Sequence, residues 1–284
     1  MTQLYREERL TWQTIDYSPA VPDSFLVPEH HWPGIRNESL PMPVRIRLNH
    51  FASYFMCEMF IHFEQSIIDY MLIHKKDILQ YISEVQLGRF VREERDHIAA
   101  FETLARKIRP DLYVDRPRFL VPTLLDRVVL NRTPLACFFM MAALFEEMTL
   151  YVYPVMLENL EESWGPYLDV MRLHALEERG HIGLDRIIVD GRLASHGRIR
   201  TRAGMLWLLP LVAYSDRRIV SAWRKGVEYF ARTEQLTSAQ ESFISSKGLS
   251  RSDVDGMRSF VKKNLEKPVP GNGLLCFALS RMTG

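Results

Sequence analysis

Residues 174–185 read HALEERGHIGLD. On a helix with about 100° per residue, His174, Glu178 and His181 fall within about 60° of one another, so two imidazoles and a carboxylate share one face. Such a face chelates metal. A lone Glu-x-x-His is weak evidence, because both residue types are common on helix surfaces and the spacing recurs by accident. The chain supplies a second copy at Glu94-Arg95-Asp96-His97, inside another long helical pattern.

Two Glu-x-x-His helices, each matched by a lone glutamate on a further helix, make up the ligand set of carboxylate-bridged dimetal bundles. Two isolated acidic positions lie in strongly apolar surroundings: Glu64 in MFIHFEQSIIDYM and the pair Glu146-Glu147 in MMAALFEEMTLYVY. The order Glu, Glu-x-x-His, Glu, Glu-x-x-His is then complete. Taken singly, each residue has a plainer explanation as a solvated face or a satisfied core histidine. Together they pose an energetic problem. Each uncompensated buried carboxylate costs several kcal/mol, and four would rival the roughly 5–15 kcal/mol that holds a domain together. Two divalent cations match Glu64, Glu94, Glu147 and Glu178 charge for charge, and neutral imidazoles add nitrogen donors. Such a carboxylate-rich set suits iron, with manganese as the alternative, better than structural zinc. Glu93 and Glu177, each just before a ligand glutamate, are positioned to reach the distal nitrogen of the histidine on the opposite helix. This pairs Glu93 with His181 and Glu177 with His97.

The elements that must present these residues are helical throughout. Residues 1–43 hold six of the fifteen prolines with Trp12, Tyr17, Phe25 and Trp32 among them, which reads as an extended aromatic arm wrapped over a bundle. Residues 44–74 contain neither Gly nor Pro and are apolar nearly all round, the mark of a central helix. A second helix is expected over 77–108, with Pro110 as its stop. A crossover follows over 110–133 with a short helix near 123–130. The third helix runs from Thr133-Pro134 to about 162 with a break at Pro154, and the fourth from Gly165-Pro166 to 195. Further helices are expected over 199–233, kinked at Pro210, and over 238–246 and 251–265, before a tail at 266–284. No strand pattern, repeat or low-complexity run appears. The expected class is all-α: one helical domain over 44–284, with its metal-binding core in 44–195 and additional C-terminal helices.

Composition narrows the function classes. With 36 basic and 35 acidic residues the net charge is +1, so no broad basic surface invites nucleic acid. The longest apolar runs, 135–145 and 203–214, are too short to cross a bilayer, and the acidic N-terminus does not resemble a signal peptide. Three widely spaced cysteines fit reduced thiols, and a cytoplasmic location is expected.

With Glu64, Glu94, His97, Glu147, His174, Glu178 and His181 in place, the chain resembles the p-aminobenzoate N-oxygenase (AurF-type) family of non-haem diiron oxygenases. The most specific feature is His174 four residues before Glu178, because this family has three histidine ligands where most ferritin-like diiron proteins have two. The resemblance covers about 44–195 and implies a ferritin-like four-helix core holding two iron ions. It also implies O2 activation and oxidation of an amine to hydroxylamine, nitroso or nitro products in natural-product biosynthesis. The family's spacing to the extra histidine favours Glu147 over Glu146. Met140, Ala143, Leu144 and Tyr151 would then line an apolar pocket for an aromatic or aliphatic amine. No dinucleotide fingerprint or iron–sulfur cysteine cluster is present, so the resemblance implies an external electron donor, a reductase or ferredoxin. A homodimer would suit so apolar a first helix. The alternatives on the same ligands are a C-hydroxylase and, from another class, a ferroxidase or iron-handling protein.

Overall fold

The computed structural model describes residues 10–28, 40–115, 118–157, 163–195 and 207–247. Among these, regular structure is entirely helical. The helices are α1 (Met42–Ile73), α2 (Lys75–Ile78), α3 (Glu84–Ile108), α4 (Pro110–Asp115), α5 (Leu124–Arg132), α6 (Leu135–Leu157), α7 (Gly165–Ser195), α8 (Leu208–Thr233) and α9 (Ser238–Lys247).

Local chemistry sets the ends of these helices. Pro43 lies in the first turn of α1, where its missing N–H costs nothing. Ser83 opens α3 through a capping box: its hydroxyl accepts from Gln86 N, and the Gln86 side chain accepts from Ser83 N. That box corrects the expected second helix, because the chain breaks after the single turn of α2 and restarts at Glu84. Thr123 and Asp126 form the same device at the start of α5. The backbone stays helical through Pro154, so the expected break is absent. Pro210 is the third residue of α8, inside the first turn, and kinks nothing. The helix expected over 251–265 and the tail lie outside the described residues.

α1 packs against α3, α6 against α7, and α3 against α7, while α8 lies against α1 and α6. Two apolar clusters occupy opposite ends of this assembly. One gathers Leu48, Phe51, Tyr54 and Ile61 of α1 with Phe101 and Leu104 of α3, Tyr167 and Met171 of α7, and Phe230 of α8. The other gathers Ile67 and Met71 of α1, Phe90 and Val91 of α3, Phe138 and Phe139 of α6, and Ile188 of α7. The order of residues through the clusters shows that α1 and α7 run one way and α3 the other. The connection 109–134 carries the chain from the first cluster back to the second, so α6 starts at the end where α3 starts. Each of α1, α3 and α7 spans both clusters, and the acidic and imidazole residues lie between them.

The described part of the arm packs on this core. Ile15, Leu26 and Val27 are buried. Buried Asn49 of α1 fastens the arm by accepting from Leu26 N at 2.8 Å and donating to Val27 O at 2.9 Å. Trp164 N, just before α7, donates to Leu26 O at 2.9 Å. No single described helix is long and apolar enough to cross a membrane.

Candidate metal centre

Two overlapping groups of side chains meet between the apolar clusters, Glu64, His97, His174 and Glu178 in one, Glu94, His97, Glu178 and His181 in the other. Within each group the donor atoms lie within 4.8 Å of one another, and every member is buried. Six of the seven residues expected from the sequence therefore converge.

The two groups share His97 and Glu178, and Glu94 also lies between His97 and His181. Glu178 turns Oε1 to His174 Nε2 at 2.6 Å and to His97 Nδ1 at 3.5 Å, while its Oε2 lies 3.3 Å from His181 Nδ1. Glu94 does the same from the opposite helix, with Oε2 at 3.7 Å from His97 Nδ1 and Oε1 at 3.2 Å from His181 Nδ1. Glu64 completes the His97–His174 side, its Oε1 3.0 Å from His174 Nε2.

The outer nitrogens carry the crossed pairing expected from the sequence. His97 Nε2 lies 2.9 Å from Glu177 Oε2, and His181 Nε2 lies 3.1 Å from Glu93 Oε2. A carboxylate only accepts, so Nε2 bears a hydrogen in both rings and each Nδ1 faces the interior. Aromatic contacts fix the ring planes. Phe90 stacks on His181 with centroids 3.9 Å apart, and Phe60 and Phe101 meet His174 edge-on. The arm contributes as well, since Trp12 Nε1 donates to Glu177 Oε2 at 3.1 Å and its ring meets the edge of His97.

Glu147 is the expected ligand that stays outside. It half-emerges from α6 and accepts from Arg186 at 3.2 Å, whereas Glu146 is 3 % exposed and turns inward. This corrects the choice between the neighbours. On α6 the buried stripe Phe139, Ala142, Glu146, Thr149 follows the helical repeat, and Glu147 sits about 100° off it. The pocket residues inferred from Glu147 shift accordingly: Ala143 and Leu144 are only half-buried, Met140 belongs to the second apolar cluster, and the Tyr151 side chain lies outside the described residues.

Sequence reasoning missed Asp185. It is fully buried in α7 beside Glu146. The signal was present, because Asp185 lies about 20° from His174 around the helix, inside the arc that holds Glu178 and His181.

The electrostatics are those of a cluster that could hold a cation. Burial pushes the Glu64 carboxyl up to about 7, against the pull of His174 and His97. Burial holds Glu146 and Asp185 well above the usual carboxylate range, helped by repulsion from Asp185 at Glu146 and from Glu178 and Glu94 at Asp185. Burial works against charge on His97, yet Glu177 and Glu94 outweigh it and raise the ring to about 10. Glu64, Glu94, Glu146 and Asp185 find no hydrogen-bond donor outside this cluster, and the inward nitrogens of His97, His174 and His181 face only its carboxylates. Buried carboxylates elsewhere in the chain are treated differently. Glu58 accepts from Tyr54 Oη at 2.6 Å and Phe119 N at 2.7 Å, and Asp126 accepts from Tyr214 Oη at 2.6 Å. Orphaned acids converging on orphaned imidazole nitrogens are what a polycation binds, and the O/N donor set fits iron or manganese.

Comparisons with protein-family models, with curated proteins and with solved structures return no match for this chain.

Proposed function

We propose that this chain is a ferritin-like, carboxylate-bridged diiron oxygenase that uses O2 to N-oxygenate an amine. The observation that carries the metal reading is the division of Glu94 and Glu178, each of which offers one oxygen to the His97 side and the other to the His181 side. Two cations side by side is the arrangement such a pair of carboxylates serves. Glu64, His97 and His174 would hold one, and Glu146 and His181 the other. The helix directions support a ferritin-like bundle, with the long connection 109–134 as its crossover. The three-histidine motif supports amine oxidation within that class.

Iron held by Glu64, Glu94, His97, Glu146, His174, Glu178 and His181 would supply the electrons for reduction of O2, replenished by a donor protein. The first oxidation balances as R–NH2 + O2 + two electrons + two protons giving R–NHOH + H2O. The chain's own residues have defined tasks. Glu93 and Glu177 hold the Nε2 hydrogens of His181 and His97, which aims both Nδ1 atoms inward. Phe60, Phe90 and Phe101 exclude water from the histidine rings and fix their rotamers. Glu64, nearest His174 and His97, provides a carboxylate at one edge of the centre.

The test is metal analysis of the purified chain, then anaerobic Fe(II) loading, exposure to O2 with an arylamine or alkylamine, and mass spectrometry of the product. About two irons per chain and oxygen on nitrogen are expected. Oxygen on carbon would move the assignment to a C-hydroxylase. Fe(II) oxidation with every amine untouched would make it a ferroxidase. Failure to bind metal under any loading condition would overturn the whole reading.

A further inference from the structure

The two sides of the centre are unequally furnished by the residues named so far. Beyond Glu94 and Glu178, each placed between His97 and His181, the dimetal reading gives the His97 side His174 and Glu64 as well and gives the His181 side only Glu146. We propose that Asp185 is a metal ligand that completes the His181 side. This rests on the dimetal reading above and adds a residue outside the seven expected from the sequence.

Four observations carry it. Asp185 follows His181 by one helical turn on the inward face of α7, so its side chain emerges beside that imidazole. It is 0 % exposed, and neither of its oxygens meets an N–H or hydroxyl donor, the Glu146 carboxyl being its hydrogen-bonding neighbour. It faces Glu146 and interacts with His181, Glu178 and Glu94, the residues that would surround the second cation. The chain also satisfies the buried carboxylates that serve structure, Glu58 through Tyr54 and a backbone N–H and Asp126 through Tyr214 and Arg218, but leaves Asp185 facing only another acid, Glu146, with no N–H or hydroxyl donor. A carboxylate kept in that state destabilises the metal-free fold unless a cation compensates it. With Asp185 counted, each side has three residues besides Glu94 and Glu178. The His181 side then carries two carboxylates of its own against one on the His97 side, so it presents the more negative position and selects for the harder or more highly charged ion.

The test compares full-length wild type with Asp185→Asn, using Mn(II) as a redox-inert probe in equilibrium dialysis with metal analysis. Wild type should take up two equivalents. Asp185→Asn should keep one with near-wild-type affinity and bind the second at least tenfold more weakly. Asp185→Glu, which returns the carboxylate, should recover much of the second equivalent, and Glu147→Gln should change neither. Thermal melts of the metal-free forms give an independent readout. Asp185→Asn should melt above wild type because it removes an orphaned acid, whereas loss of a merely structural aspartate would lower the melt. Two equivalents bound by Asp185→Asn with unchanged affinities would overturn the assignment while leaving the dimetal reading intact. A wild type that binds no Mn(II) or Fe(II) would overturn both.

Discussion

Glu146 and Glu147 are chemically identical neighbours separated by about 100° of helix rotation, and that angle decides their roles. Glu146→Ala is expected to abolish or strongly weaken binding of one of two metal equivalents. Glu147→Ala should leave both intact and change stability by less than about 1 kcal/mol, since its partner Arg186 is well exposed. Metal titration of the two variants checks this, and the reverse result would restore Glu147. The raised carboxyls also set a pH dependence for the metal-free protein. A folded-state pKa above the ordinary carboxylate value, about 7 at Glu64, means that the fold binds a proton the unfolded chain has released. That contribution is fully present at low pH and is lost as pH rises through about 7, and His97, raised to about 10, extends the loss into the alkaline range. Glu178, held low mainly by His174 and His181 against the effect of burial, contributes in the opposite sense at acid pH. Denaturant melts of metal-free protein should therefore show stability declining between about pH 5 and 9, with saturating metal flattening the decline.

Among the elements, α7 contributes most chemistry, carrying Glu177, Glu178, His174, His181 and Asp185, and α3 opposes it with Glu93, Glu94 and His97. Their crossed outer pairs hold the two helices in register. The arm enters the same network through Trp12. Trp12→Phe, which keeps an aromatic ring but removes the indole N–H, should lower metal affinity severalfold, and Glu177→Ala should lower it further, toward the 10- to 100-fold typical of lost outer partners. Equal affinity of Trp12→Phe and wild type would reduce the arm to packing. α8 is seated on α1 at Gly226, where an added Cβ would meet Phe51 Cζ at 2.7 Å. Phe51 is fully buried and packed against Phe119, Trp223 and Phe230. Gly226→Ala should therefore destabilise the protein in a thermal melt, despite the roughly 1 kcal/mol that alanine gains over glycine within a helix.

At the scale of the whole molecule, the centre separates two apolar clusters, so a bound cation would stabilise the middle of a fold whose ends are held by packing. A ligand that binds only the folded state at 100 times its Kd adds about 2.7 kcal/mol per site. For a chain of this size that corresponds to a Tm increase on the order of 5–10 °C per site. Melts with and without Fe(II) or Mn(II), and after chelation, should show that increase and its reversal. An unchanged Tm at saturating metal would argue against a buried site.

Much of this arrangement was legible in the residues themselves. The three motif histidines and Glu64, Glu94 and Glu178 were found because helical spacing is a local property, and orphaned acids in apolar stretches stand out without any knowledge of packing. The crossed pairing of Glu93 with His181 and Glu177 with His97 followed from the same periodicity once two helices were set face to face. Other features depended on tertiary contacts. The register of α6 against α7 determined that Glu146 faces inward and Glu147 meets Arg186, because both faces of so apolar a helix look alike in sequence. Asp185 shares the chelating face, but only the burial of that turn beside Glu146 distinguishes it from a solvated aspartate. Trp12 reaches Glu177 across 165 positions of chain, a contact that local periodicity does not encode and that depends on how the arm packs over the assembled helices.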